Sequence, residues 1–378
     1  MAKMAKKVKK LGFLRIGGFD LPLLMILLIL LCIGLVCLFS ASHVYASYYD
    51  GSSYHYILRQ GIFAALGLVA MYLISLLDYH IWRKLGLWLY GAALILLVIA
   101  LVAPSQNGVH RWIGVGPLTF QPSDFAKFAL IVFLAQVISG NYQKIKEFST
   151  FFKLLVIVGL VCGLVVIEPH LSGTMLIAGI GLVMLFVGGT PLFYLGGLVA
   201  LAAAVVLLMV FGVGYEADRI SVWLDPLGVF AVDRDMAWQT VQSLYAIGSG
   251  GLMGLGIGNS RQKHLFLPEP QNDFIFAIIC EELGLIGAIL IIALFAALVW
   301  RGVVISTRAP DKFGALLAVG ISAQIGIQVL LNIAVVTNSM PNTGIGLPFF
   351  SYGGTSMMML LGEMGVLFSI ARQMKQKN

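Results

Sequence analysis

Long apolar runs separated by short polar breaks dominate the chain. Near residues 21–41, 57–77, 85–103, 125–139, 153–167, 171–188, 192–212, 273–300, 313–336 and 348–371 the sequence stays apolar for about the 20 residues a helix needs to cross a bilayer. This pattern predicts an all-α polytopic membrane protein with about ten transmembrane helices, of which the fourth to sixth are short. The first run is too long for a signal-peptide core and lacks a small-residue cleavage site, so it reads as a retained span. The expected organisation is a basic segment 1–20, a single transmembrane domain 21–371 and a tail 372–378. A large outer loop, 213–272, lies between the seventh and eighth helices.

Composition supports this reading. Hydrophobic residues make up 60% of the 378 and charged residues 11%, against about 25% charged in a soluble domain. The net charge of +7 does not indicate nucleic acid, because the basic residues sit at the ends of apolar runs rather than on one patch. Segments 1–20, 78–84, 140–153, 301–312 and 372–378 hold 17 of the 24 Lys and Arg, which predicts cytoplasmic termini by the positive-inside rule. Cys32, Cys37, Cys162 and Cys280 lie in apolar runs with neither disulfide nor metal spacing. No ATP-binding motif occurs, so chemistry on the outer side must use a substrate activated beforehand.

Polar groups at membrane depth are the candidates for function. In LPEPQNDFIFAIICEELG (267–284), Asp273 stands at the expected start of the eighth helix. There the helix dipole favours its carboxylate and nearby hydrocarbon raises its pKa, a combination that suits a general base. On an extrapolated helix Glu281 lies about 80° and Glu282 about 180° around from Asp273, so at most Glu281 could share its cavity. In RWIGVGPLTFQPSDFAK (111–127), Arg111 could clamp a phosphate bidentately and Lys127 could add a point charge. Trp112 could stack on a sugar, although an interfacial aromatic with snorkelling cations fits equally well. Ser123 and Asp124 are expected only to cap a helix. Glu168 and His170 fit a turn hydrogen-bond network better than a metal site, and Arg261, Lys263 and His264 fit a solvated outer surface. The glycines of 248–258 match no phosphate-binding loop and point to tight turns and close backbone approach. Trp238, Val241, Leu244 and Tyr245 form an apolar stripe opposite Gln239 and Gln242, as on an interfacial helix. LPFFSYGGTS (347–356) breaks the start of the last helix, a feature tolerated where it lines a cavity.

Taken together, these blocks resemble the SEDS family of polytopic peptidoglycan glycosyltransferases. RWIGVGPLTFQPSDFAK is similar to the family's RWI…QPSE…K block, LPEPQNDFIFAIICEELG to its LPE…TDFIFA…EELG block and LPFFSYGGTS to its LPF.SYGGSS block. Departures include Asp124 for Glu, Gln271-Asn272 for His-Thr and Thr355 for Ser. The resemblance covers nearly the whole chain and lies closer to the division branch than to the elongation branch. It implies an inverting glycosyltransferase that polymerises lipid II, an undecaprenyl-pyrophosphate-linked disaccharide pentapeptide, at the outer face of the bacterial cytoplasmic membrane during cell division. Asp273 would be the catalytic base, and Arg111, Trp112, Gln121 and Lys127 would line the substrate cavity with Glu281, Ser351 and Gly353. Implied partners are a class B penicillin-binding protein transpeptidase and divisome proteins, with no nucleic acid. A divalent cation, Mg or Mn, is left open as a cofactor. The rival readings are a lipid II flippase and a non-catalytic scaffold for a transpeptidase.

Overall fold

The structure is a computed structural model that describes residues 18–103, 111–115, 118–168, 170–208, 217–226 and 234–374. Most of the expected basic segment 1–20, the end of the 372–378 tail, Pro169 and parts of the 104–124 and 213–272 loops lie outside the described residues. The helices are α1 (Leu21–Tyr49), α2 (His55–Leu76), α3 (His80–Val102), α4 (Pro122–Gly140), α5 (Phe148–Ile167), α6 (Leu171–Gly188), α7 (Leu192–Leu207), α8 (Ala217–Leu224), α9 (Arg234–Gly250), α10 (Ile275–Thr307), α11 (Lys312–Val336) and α12 (Gly354–Arg372). Among the described residues nine are long and apolar enough to cross a membrane, and α7 is a shorter apolar helix. The chain is thus an all-α multi-pass membrane protein with the ten apolar runs in the expected order.

Burial sorts these helices. Two-thirds of the apolar window of α12 and 61% of that of α4 are buried, against 22% for α2. These two central helices are also the least hydrophobic of the nine, because their polar side chains face neighbouring helices while lipid solvates the outer ones. Helix α12 packs along α2, and α11 packs against α10, α4 and α6. At the end formed by the start of α1 and the α2–α3 and α10–α11 turns, Asp20 caps α1 and binds Arg301 at 2.6 Å. His80 lies between Asp78 (2.6 Å) and Asp311 (2.9 Å) at the same end.

The opposite end is less regular than the sequence suggests. Between α3 and α4, Ile113–Val115 and Leu118–Phe120 pair as a short antiparallel hairpin, β1–β2. Helix α9 turns Trp238 and Tyr245 outward, in keeping with an interfacial stripe, but it buries Gln242 as well as Ser243 against the bundle.

Helix α10 opens at Gly284, where φ is 67° and ψ −171°. This region of backbone space is essentially closed to residues with a Cβ. The glycine-rich segment lies in the opening: Leu255 and Gly256 donate to the carbonyls of Glu281 and Glu282, and Leu285 and Ile286 donate to Gly251 and Leu252. The expectation of close backbone approach therefore fits. Gly254, at φ 77°, faces Gly284 so tightly that a Cβ on Gly284 would come within 2.3 Å of the Gly254 nitrogen. Gly284→Ala should therefore cost about 2–3 kcal/mol, read as a lower unfolding temperature in detergent, with Gly163→Ala, at a helical glycine with open space around its Cβ, measured beside it and expected to cost nothing. Equal stability of Gly284→Ala and the parent would contradict this account.

Lys263 is not a surface residue. It is completely buried, with Nζ 2.9 Å from Glu282 Oε1 and 3.3 Å from Ser40 Oγ. Arg261 and His264 beside it are exposed, as expected.

Candidate active site

Three segments that are far apart in sequence build the site. Asp273 does not begin a helix: Phe274 caps α10, which starts at Ile275, so Asp273 sits in the preceding turn. The loop 342–353 between α11 and α12 closes over that turn. Asn332 of α11, fully buried, donates to the carbonyls of Asp273 (2.8 Å) and Ile345 (2.7 Å). Gln328 donates to Gly346 at 2.9 Å, and Gln60 of α2 both donates to Ser351 and accepts from the Gly353 N–H. Ser351 Oγ accepts from Leu347 N and donates to the Asn272 carbonyl at 2.6 Å. This accounts for the broken start of α12: its irregular backbone is satisfied by side chains at membrane depth.

The third segment is the β1–β2 hairpin with the start of α4. Arg111 Nε donates to the Glu168 carbonyl at 3.0 Å, fixing the strand end to the turn after α5. Thr355 ties α12 to β2 through the Thr119 carbonyl. One turn into α4, Lys127 pairs with Asp124 at 2.7 Å, and Ser356 donates to the same carboxylate. Asp124 therefore does more than cap a helix. That carboxylate shares the charge of Lys127, which lowers the net positive charge Lys127 offers an anionic ligand.

These segments enclose a cavity of about 620 Å³, within the range of about 300–1,000 Å³ typical of ligand sites. Asp273, Arg111, Trp112, Gln121, Lys127, Ser351 and Gly353 all line it. Glu281 does not. Its carboxylate is completely buried elsewhere, accepting from Ser260 Oγ at 2.5 Å, the Arg261 N–H at 2.9 Å and Ser249 Oγ. The helical extrapolation failed because Asp273 precedes the helix on which Glu281 lies. The hydroxyl of Ser351 is engaged in holding backbone, which makes that residue part of the cavity wall.

The cavity also contains residues that sequence reasoning passed over: Arg59, Phe63, Glu269, Asn272 and Tyr352. Arg59 carried a usable signal, a charge inside an apolar helix. His170, read as part of a turn network, lines the cavity with its Nδ1 3.4 Å from Gln121 Nε2.

Electrostatics separates these groups. Burial pushes the Asp273 carboxyl up to about 6; Glu269 adds to the rise, and Arg111 and Arg219 oppose it. Burial raises Glu168 to about 8, with Arg111 opposing. His170 is lowered to about 3, mainly by burial and then by Arg111 and Lys127, so it is neutral at physiological pH. Among the described residues no three His, Cys, Asp or Glu side chains come together as a metal-ligand set.

Residues 21–376 match the family model described as cell cycle protein, that of FtsW, RodA and SpoVE. The chain belongs to this family. It is 44% identical over 363 residues to stage V sporulation protein E of Bacillus subtilis, covering 93% of this chain and 97% of that protein. It is 37% identical over 372 residues to a probable peptidoglycan glycosyltransferase FtsW of Geobacter metallireducens, covering 97% and 98%. Among solved structures it is similar to a chain of a peptidoglycan synthase complex described as coordinating polymerization and crosslinking, with TM-score 0.79, 27% identity and coverage of 94% and 98%. It is also similar to the rod shape determining protein RodA of Thermus thermophilus, with TM-score 0.70, 27% identity and coverage of 95% and 99%.

Proposed function

We propose that this peptidoglycan glycosyltransferase of the FtsW type polymerises lipid II with Asp273 as its general base. The observation that carries the proposal is a carboxylate with a pKa near 6 in a cavity shared with Arg111, Lys127 and Trp112. A base poised near the working pH can take a proton without being protonated beforehand. Asp273 removes the proton of the acceptor sugar's 4-hydroxyl. That oxygen attacks the donor's anomeric carbon from the face opposite the leaving group, a C–O bond forms, the bond to pyrophosphate breaks and the configuration inverts. Arg111, supported by Lys127, stabilises the charge that develops on the departing undecaprenyl pyrophosphate, and Trp112 offers an aromatic face to a sugar.

The distribution of Lys and Arg supports cytoplasmic termini, with the cavity opening at the outer face of the cytoplasmic membrane. The similarity to a synthase complex that couples polymerization with crosslinking supports a class B penicillin-binding protein transpeptidase as partner, working with divisome proteins.

The test is the rate of glycan lengthening from labelled lipid II by the purified protein as a function of pH. A base that must be ionised loses activity as pH falls through its pKa. The expected profile rises to half its plateau near pH 6 and falls about tenfold for each further unit of acidification. A flat profile between pH 5 and 7.5 would refute Asp273 as the base. Movement of labelled lipid between leaflets without lengthening would instead support a flippase.

A further inference from the structure

Beneath the large cavity, and sharing part of its wall, lies a chamber of about 20 Å³ lined by Asp124, Lys127, Gln324, Gln328, Ser356 and Glu363. This is room for one water-sized occupant. Glu363 and Gln324 are 2% and 1% exposed and lie within membrane-spanning helices. Their hydrogen bonds orient them. Gln324 Nε2 donates to Glu363 Oε2 at 2.8 Å, and Gln328 Nε2 donates to the Gly346 carbonyl. Each amide therefore directs one N–H of its nitrogen to a fixed acceptor, which sets which way its oxygen faces. Glu363 Oε1, Gln324 Oε1 and Gln328 Oε1 are all buried without a hydrogen-bond partner.

Three orphan acceptors around one small space need donors or positive charge. A water brings two hydrogens, one fewer than the orphan oxygens, and leaves the charge unchanged. Lys127 is already paired with Asp124, so the Glu363 carboxylate is the unbalanced charge of the chamber. A proton on that carboxylate together with one water would also meet the three oxygens and cancel the charge, and it is the competing occupant that a sodium titration separates from a cation. A small hard cation meets the oxygens and the charge with a single occupant, because carboxylate and amide oxygens are the ligands such ions take. With Glu363 ionised and Lys127 paired to Asp124, charge balance sets its valence at one.

We propose that this chamber is a monovalent cation site, with Glu363, Gln324 and Gln328 as its oxygen ligands and a sodium ion as its occupant. The site touches the catalytic cavity through Asp124 and Lys127, so an ion held there would steady the pair from below.

The test is thermal unfolding of the purified full-length protein in lipid nanodiscs, titrated with sodium chloride against choline chloride at constant ionic strength. A ligand that binds only the folded state raises the unfolding temperature saturably, so sodium is expected to raise it and choline is not. Glu363→Gln should move the half-saturating sodium concentration up by about tenfold or more, and Gln328→Leu should weaken the response while leaving the charge in place. Coincident sodium and choline curves would overturn the proposal and leave a water or a proton as occupant. So would a sodium response undiminished in Glu363→Gln. The readout is binding, so it is independent of whether Asp273 is the base.

Discussion

Asp273→Asn should leave a folded protein that no longer lengthens glycan strands. General-base assistance is worth about 10²–10⁴ in rate, and an amide cannot accept the proton. The fold should tolerate the change, because the contact that anchors this turn is made by the Asp273 carbonyl to Asn332 rather than by the side chain. The carboxylate is also held protonated more readily than an exposed one, so a neutral isostere relieves a burial cost instead of adding one. Polymerisation of lipid II by the purified variant, with its unfolding temperature measured in the same preparation, checks both halves. Turnover within tenfold of the parent would remove Asp273 from the mechanism.

Lys263→Met should be the most destabilising of the changes considered. It leaves Glu282 without the only cation that an ion pair gives it among the described residues, and losing one partner of a buried pair costs about 3–5 kcal/mol. Ser40 and the Ser260 N–H would still donate to Glu282, which places the expected loss at the lower end of that range. The pair joins the segment before Asp273 to both α10 and α1, so hydrogen exchange should rise across 255–267 as well. Adding Glu282→Gln to Lys263→Met should recover most of the loss, since two neutral groups of similar size can replace a buried pair at little cost. An unfolding temperature for Lys263→Met equal to the parent's would contradict the buried pair.

How far the sequence reached follows from what kind of information each feature carries. Hydrophobic run length is local, and it placed the spans. The polar blocks 111–127, 267–284 and 347–356 each held residues too costly for lipid, and seven of the eight candidates drawn from them line one cavity. Glu281 was misplaced because a helical wheel assumes a helix, and the chain at Asp273 has not yet entered one. Lys263 was misread because its partners are remote in sequence: Ser40 is 223 residues away. The partners of Asp124 divide the same way, since Lys127 is one helical turn away and in plain view, whereas Ser356 is 232 residues distant. Arg59 was legible as a lone cation in an apolar helix but was passed over in favour of clustered motifs.

The amide of Asn332 bonds the carbonyls of Asp273 and Ile345 together, and this has a mechanical corollary. The proposed base and the loop opposite it share one mount, so a tilt of α11 carries both and leaves the spacing between them unchanged. Arg111 hangs from another mount, the carbonyl of Glu168 at the end of α5. By these two bonds the proposed proton acceptor and the proposed leaving-group cation are tied to different helices, and the gap between them is the coordinate along which a bound partner would gear the enzyme up or down.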